Sequence, residues 1–251
     1  LINFMLDTHR TRGYTENVVP YFANSTSFVG TGQFPKFVQD VFKIEGRSLY
    51  AIPTAEVPLV NMFQNQVIDA KHLDISVTAF SPCFRSEAGS YGVDTKGLMR
   101  LHQFHKVELV KITHPDRSDQ ALDQLVLDAR HILDLLELPY RIVTLCRGDT
   151  GFASALTYDI EVWVCSSQGF REISSCSNCR DFQARRAKIR YRFTGPDGEQ
   201  KTDYAHTLNG SGLAVGRAFL ALVEYFQEGK NLVKIPPVLH PYMGGQKEIR
   251  W

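Results

Sequence analysis

From Ser76 to Ile112 the chain reads SVTAFSPCFRSEAGSYGVDTKGLMRLHQFHKVELVKI, and the alternation within this stretch decides the fold. Ser76–Ser86 and Leu98–Ile112 are the two most strand-like segments, joined by a loop with Gly89, Gly92 and Gly97. Side chains alternate along a strand, so Arg85 and Glu87 share a face, as do Arg100, Phe104 and Glu108 on the returning strand. Leu101, Val107 and Leu109 fall on the opposite face and are expected in the core. Two guanidiniums, an aromatic plate and two carboxylates on one sheet surface suit a charged, planar ligand. Arginine grips phosphate oxygens bidentately, and phenylalanine stacks on a base. The competing reading is a solvated face laced with surface ion pairs, and alternation alone does not separate the two.

Around this hairpin the chain is expected to mix strands and helices irregularly. Upstream lie a helix to about Arg10, a strand at Val18–Phe22, and a polar loop holding Gly30-Thr31-Gly32. Val41–Ile44 and Leu49–Ile52 flank Glu45-Gly46-Arg47-Ser48 as a hairpin, and Thr54 can cap a helix running through Gln64. Downstream, Leu122, Leu125, Val126, Ala129, Leu133 and Leu136 recur at spacings of three and four, which marks an amphipathic helix over Ser118–Leu136. Pro139 ends it. Strands are expected at Tyr140–Leu145, Thr157–Val164, Phe170–Ser174, Ile189–Phe193 and Thr202–Leu208. Helices are expected at Ser177–Lys188 and Gly212–Glu228, the latter packing through Leu213, Phe219, Leu220, Val223 and Tyr225. Hairpin-linked strands with scattered helices give an α+β fold built on an antiparallel sheet flanked by helices.

No strand-to-helix GxGxxG or GxxxxGK[ST] is present, so a nucleotide would have to be held without a Rossmann or P-loop site. A second cluster tips the balance towards a nucleotide with metal. Glu172, Ser174 and Ser175 offer oxygens for Mg²⁺, and Arg217 adds a third guanidinium. Asn209-Gly210-Ser211-Gly212 supplies small polar groups and close backbone approach. His102 and His105, three apart on a strand, point to opposite faces and cannot chelate one metal. Arg185-Arg186 with Lys188, Arg190 and Arg192 is read as a solvated face.

Composition narrows the class. The 251 residues carry 28 Lys+Arg against 27 Asp+Glu, a net charge of +1 that excludes histone-like nucleic-acid binding but not a local basic patch. Hydrophobic content of 43% with 22% charged residues is globular composition. No apolar run approaches the ~18–20 residues of a membrane span, and no secretory leader is recognisable. Five cysteines, with one lone CxxC at Cys176–Cys179, fit buried or half-buried free thiols in a reducing compartment, with no zinc expected.

Several stretches together resemble a known family. Phe84-Arg85-Ser86-Glu87-Ala88-Gly89-Ser90, Gly97-Leu98-Met99-Arg100 and His102-Gln103-Phe104-His105-Lys106-Val107-Glu108 resemble motif 2 of class II aminoacyl-tRNA synthetases, in the form seen in seryl-tRNA synthetases. Thr207-Leu208-Asn209-Gly210-Ser211-Gly212 through Gly216-Arg217 resembles motif 3. Val29-Gly30-Thr31-Gly32-Gln33, Thr54-Ala55-Glu56, Thr157–Trp163, Arg171–Ser177 and Pro241-Tyr242-Met243 are similar to the family as well. The resemblance runs from Leu1 to about Gly244.

The resemblance implies an ATP-dependent serine–tRNA ligase of bacterial type. Arg85 would hold the α-phosphate, Glu87 and Phe104 the adenine, and Arg100 and Arg217 the β- and γ-phosphates. Ser86, Ile173 and Ser174 would also line the ATP site, with Glu172 and Ser175 on Mg²⁺. Thr54, Ala55, Glu56, Arg85, Glu108, Asn209 and Ser211 would form the serine site. It further implies serine tRNA as a partner, met at its acceptor end by the motif 2 loop, a homodimer, and a cytoplasmic location. Activation of serine for a carrier protein, or a non-catalytic binding module, are the alternatives. Leu156 departs from the family, which commonly has Lys there, and His105 replaces an acidic residue. Residues 1–251 are expected to be one catalytic domain. Its first helix would be the remainder of motif 1, the N-terminal tRNA-binding arm lying upstream.

Overall fold

The computed structural model describes residues 1–87 and 97–251, so Gly89, Gly92 and the Ala88-Gly89-Ser90 portion of the motif lie outside the described residues. In chain order the helices are α1 (Ile2–Thr11), α2 (Ser25–Thr31), α3 (Glu56–Asn61), α4 (Ser118–Leu135), α5 (Phe182–Ala187) and α6 (Val215–Tyr225). The first strands are β1 (Thr15–Glu16), β2 (Phe22–Asn24), β3 (Leu49–Ala51), β4 (Val67–Asp69), β5 (Ile75–Phe84), β6 (Gln103–Thr113) and β7 (Tyr140–Thr144). They are followed by β8 (Leu156–Val164), β9 (Gly169–Asn178), β10 (Arg190–Thr194), β11 (Gln200–Tyr204), β12 (His206–Ala214), β13 (Leu232–Lys234) and β14 (Glu248–Arg250).

Seven strands form the central sheet in the order β1-β5-β6-β12-β9-β8-β7. Every pairing in it is antiparallel except that of the short edge strand β1 with β5. The expected α+β sheet is therefore the one found. The long hairpin β5–β6 is in register from Ile75 opposite Ile112 to Phe84 opposite Gln103.

Both faces of this sheet are covered. On one, α4 lays its whole apolar stripe, Leu122 to Leu133 with Leu136 beyond the helix end, against Val107, Leu109 and Leu208, together with Phe4 and Met5 of α1. On the other, Val110 and Ile112 of β6 meet Leu59 and Val60 of α3 and Ala184 and Ala187 of α5. On β6 the odd face is apolar at Val107 and Leu109, while the even face passes from Lys106 and Glu108 to the apolar Val110 and Ile112.

Asp128 on α4 ties three elements together. Although 1% exposed, it accepts from Arg12 Nε at 2.6 Å, Tyr14 Oη at 2.8 Å and Gln124 Nε2 at 2.8 Å, with Lys111 Nζ 3.7 Å away. Burying this carboxylate is tolerable only because its lone pairs are filled and cations face it.

Several local expectations fail for identifiable reasons. Pro20 interrupts the strand placed at Val18–Phe22, leaving Val18 96% exposed and pairing confined to Thr15–Glu16 and Phe22–Asn24. The loop around Gly30-Thr31 is instead helix α2, capped by the Asn24 side chain on the Ser27 N–H and closed by Gly32 at φ 85°. The strand placed at Thr202–Leu208 is two strands in different sheets, β11 and β12, meeting at Ala205. Helix α5 is confined to Phe182–Ala187, because Ser177 and Asn178 extend β9.

Helix α6 starts only at Val215; Asn209-Gly210-Ser211-Gly212 is central strand, because Gly210 must lie within contact of Cys176 and Leu125. Phe219 and Tyr225 of α6 are exposed, and Ala218, Ala221 and Leu222 make its buried face instead. Leu101 precedes β6 and is 39% exposed, so strand parity does not apply to it. Of the five free thiols, Cys83, Cys176 and Cys179 are buried, Cys165 is partly so, and Cys146 is exposed against expectation.

Replacing Asp128 with alanine leaves Arg12, Lys111 and the Tyr14 hydroxyl facing an apolar void. We expect a loss of about 3–5 kcal/mol in urea unfolding, the scale for removing one partner of a buried ionic cluster.

Candidate active site

The polar half of β6 floors a cavity of about 330 Å³. Phe104, Lys106 and Glu108 line it, in the alternation the sequence indicates. Neighbouring strands add to the same face by register. Ser211 lies opposite Glu108 and Asn209 opposite Val110 on β12, while Ser177 on β9 lies opposite Asn209. Beyond Ser175 the register of β9 slips: Ser174 pairs with Ile160, but Glu172 pairs with Glu161, leaving Ile173 as an extra residue. This bulge reverses the alternation and brings Glu172 to the same cavity as Ser175, three residues away.

The cavity has a buried end and an open end. Four cations (Arg85, Arg100, Lys106, Arg217) and four carboxylates (Glu56, Glu87, Glu108, Glu172) line it. At the buried end Glu108 is 1% exposed and pairs with the Lys106 ammonium, which donates to Thr54 Oγ1 at 2.9 Å. Glu56 Oε1 accepts from Gln183 Nε2 at 2.6 Å and from Asn209 Nδ2 at 3.1 Å. Gln183 is held in turn, accepting from the Thr207 hydroxyl at 2.7 Å and donating to the Thr31 carbonyl at 3.1 Å. Burial first, and then the like charge of Glu108, push the Glu56 carboxyl up to about 7, against the pull of Gln183 and Lys106. Burial likewise raises Glu108, opposed chiefly by Lys106.

At the open end the Arg85 guanidinium lies 5.0 Å over the Phe104 ring, and Arg100 is paired with Glu87. Glu87 has φ 53°, left-handed backbone that carries the chain out of β5. His102 Nδ1 lies 3.2 Å from the Arg85 carbonyl oxygen, and His105 packs on Phe80 with centroids 5.5 Å apart, so each makes only local contacts. From α6, Arg217 reaches across to donate to the Glu172 carbonyl at 2.5 Å and to the Met99 carbonyl at 3.3 Å. Three guanidiniums and an aromatic face converge here from three separate elements. Arg185, Arg186, Lys188, Arg190 and Arg192 lie elsewhere and are exposed, as expected of a solvated face.

Thirteen of the sixteen residues expected in the site thus line one cavity. Three do not. Ala55 is fully buried in the core behind α3. Ser86 Oγ donates to the Gln39 carbonyl at 2.7 Å. Ser174 points to the opposite sheet face, where its hydroxyl donates to the Ser211 carbonyl at 2.7 Å. Lys106 and Gln183 are the residues missed. The parity that selected Phe104 and Glu108 also selects Lys106; Gln183 comes from a distant helix with no local signal.

Asp159, beside Ser175 on β8, has a buried Oδ1 without a hydrogen-bond partner, and burial raises its carboxyl to about 6. Among the described residues no three His, Cys, Asp or Glu side chains cluster closely enough to form a metal centre by themselves. Among the described residues no helix is long and apolar enough to cross a membrane.

Residues 40–226 match the family described as tRNA synthetase class II core domain (G, H, P, S and T), and the chain belongs to that family. The resemblance is more particular than that. The chain is 56% identical over 250 residues to the serine–tRNA ligase of Desulforapulum autotrophicum, which covers 99% of this chain and 58% of that protein. It is 57% identical to the one from Syntrophobacter fumaroxidans over the same shares. The chain therefore spans a little over half the length of these curated relatives. Seryl-tRNA synthetase from Pyrococcus horikoshii, solved with ATP, superposes with a TM-score of 0.93 at 43% identity, over 99% of this chain and 55% of that one. Prolyl-tRNA synthetase from Giardia lamblia shares the fold alone, at a TM-score of 0.77 and 16% identity over 96% of this chain and 47% of that one.

The raised carboxyls give the site a pH signature. A carboxyl whose folded pKa lies above its ordinary 4.5 contributes stability below that value and loses it as pH climbs through about 7 for Glu56. Asp159 acts in the same direction between 3.8 and about 6. Urea midpoints of the unliganded protein should therefore carry a falling component from about pH 4.5 to 7, and Glu56→Gln should flatten it. An unchanged slope in that variant would place the titration elsewhere.

Proposed function

We propose that the protein containing this chain is a serine–tRNA ligase, for which residues 1–251 form the catalytic domain. The observation that carries this reading is the polarity of the cavity: three guanidiniums and Phe104 at its open end, and Thr54, Glu56, Glu108, Asn209 and Ser211 at its buried end. A polyphosphate suits the first. A small ammonium-bearing, hydroxylated substrate suits the second.

In this reading Arg85 holds the α-phosphate of ATP, Phe104 and Glu87 the adenine, and Arg100 and Arg217 the β- and γ-phosphates. Each arginine has only weak competition for its charge. Arg85 rests on an aromatic face, Arg100 on an exposed pair with Glu87, and Arg217 on backbone carbonyls with the Glu172 carboxylate 3.8 Å away. Serine places its ammonium among Thr54, Glu56 and Glu108 and its hydroxyl near Asn209 and Ser211. One carboxylate oxygen of serine attacks the α-phosphorus. The bond to the bridging oxygen of pyrophosphate breaks, and seryl-adenylate remains. A terminal ribose hydroxyl of serine tRNA then attacks the seryl carbonyl and releases AMP. No protein nucleophile is required, so the residues act by positioning and by charge stabilisation.

Mg²⁺ fits Glu172 and Ser175, with the unpartnered Asp159 oxygen behind them, because it binds through one or two protein oxygens together with substrate phosphates. Bound there, it would neutralise charge on the departing pyrophosphate. Polar groups that bond the serine hydroxyl, here Asn209 and Ser211, disfavour alanine, which would leave them unpaired. A homodimer in the cytoplasm is the setting the family resemblance supports.

The test is serine-dependent exchange of pyrophosphate into ATP by the whole protein. Exchange with serine but no charging of serine tRNA would favour activation for another acceptor, and no exchange would favour a binding module. Arg85→Ala should lower exchange about 10²–10³-fold, the scale for deleting one charge-stabilising donor. A loss of only a few-fold would remove Arg85 from the α-phosphate.

A further inference from the structure

On the face of the central sheet away from the cavity, helix α1 sets one imidazole against strand β12. His9 is fully buried, and its Nε2 lies 2.6 Å from the Gly212 carbonyl oxygen. A carbonyl only accepts, so the proton sits on Nε2 and that nitrogen donates. Nδ1 is then an acceptor, buried and without a hydrogen-bond partner among the described residues. Burial, against the pull of the Gly212 carbonyl and Asp128, lowers the imidazole to about 4, and the ring is neutral.

Its place is fixed from both sides. Tyr14 stands edge-on to the ring with centroids 5.8 Å apart, and its hydroxyl is tied to Asp128 at 2.8 Å. The His9 carbonyl accepts from the N–H groups of Arg12 at 3.0 Å and Tyr14 at 3.1 Å. On the strand side, a Cβ at position 212 would collide with His9 Nε2.

Such a ring is costly as a filler. An apolar side chain would occupy the space without burying an acceptor that nothing satisfies. What the imidazole supplies is one donor, at a break in the ladder. Strand β12 keeps register with β6 from His206 to Ser211, which lies opposite Glu108. The next pair is Ala214 with Lys106, so Gly212 and Leu213 stand against Val107 alone. A bulge of this kind disrupts the ladder locally, and the strand must be held there by other contacts. Two side chains do so from behind the cavity. The Ser174 hydroxyl donates to the Ser211 carbonyl at 2.7 Å, and His9 takes the next carbonyl along. Ser211 itself lines the cavity.

We infer that His9 is a positioning residue for the serine site, holding Ser211 in place beside the substrate hydroxyl through the Gly212 carbonyl. The inference rests on the serine site proposed above. His9 lines no part of the cavity and acts through the strand. Arg217 follows in α6 but is held independently by the Glu172 and Met99 carbonyls, so the nucleotide end keeps its geometry when His9 is changed.

The test is serine-dependent pyrophosphate exchange by the whole protein, with KM read separately for serine and for ATP. His9→Met keeps the bulk and removes the donor. It should raise the serine KM about ten-fold, the scale of one lost hydrogen bond, and leave the ATP KM within two-fold. His9→Gln should bring the serine KM back to within three-fold, because its terminal amide reaches where Nε2 lies. His9→Asn, whose shorter amide stops at the position of Nδ1, should behave as His9→Met does, and it carries the test if the methionine variant fails to fold. A serine KM within two-fold of the unsubstituted protein in His9→Asn would overturn the positioning role and leave the ligase reading standing. Serine and ATP KM values rising in parallel would do the same, as would a glutamine variant no better than the asparagine one. Absence of exchange in the unsubstituted protein would overturn the ligase reading and the positioning role with it.

Discussion

Strand β6 must satisfy two opposite demands along its eleven residues, and the remaining architecture follows from how it does so. At its middle the odd face is dry: Val107 and Leu109 are fully buried beneath α4. Its even face carries Lys106 and Glu108 at 8% and 1% exposure, charges that an unpaired interior would not tolerate. The cost is contained by mutual pairing, by Thr54 from the loop before α3, and by Ser211 held opposite on β12. Each of these partners belongs to a different part of the chain. The sheet order β5-β6-β12-β9 brings the strand partners alongside, while α3 and α5 close the second face next to the cavity.

The same buried charges that make the site costly give it selectivity. Glu56 and Glu108 are both pushed towards their neutral forms by burial, and the charge of Glu108 adds to the difficulty of ionising Glu56. A ligand bringing its own ammonium relieves both. At the open end the balance reverses, with guanidiniums resting on a ring, a neighbouring carboxylate and backbone carbonyls that a polyanion can replace. The two ends of the cavity therefore present opposite charge to whatever enters it.

Much of this was legible in the residues because it obeys strict periods. The α4 stripe follows a helical repeat, and all six of its expected residues are buried. Phe104 and Glu108 follow the strand repeat, which also contained Lys106 unremarked. What stayed hidden depends on breaks in period or on distance. Ser174 looked equivalent to Ser175 until the extra residue at Ile173 set the phase of β9. Arg100 was assigned to the site by a parity that does not hold, since β6 begins only at Gln103, yet its pair with Glu87 brings it there. The close backbone approach expected of Asn209 to Gly212 is there, at Cys176 for Gly210 and at His9 for Gly212, but Gly212 belongs to strand β12 and not to the helix that follows. Gln183 reaches Glu56 across 127 positions of sequence, a contact no local pattern encodes.

The bulge in β9 also makes the strand modular. Residues from Ser174 to Asn178 are fixed in phase by β12 and by the near half of β8, whereas Gly169 to Glu172 pair with its far half, with Arg217 on the Glu172 carbonyl. One residue acts as a joint between two independently indexed rulers. The acid at 172 can thus be aimed, exchanged or shifted by changes confined to the outer hairpin, while Ser175, Ser177 and the floor of the cavity keep their registration. A regular strand would couple the two ends rigidly, so that any adjustment at residue 172 would invert the face presented to the cavity.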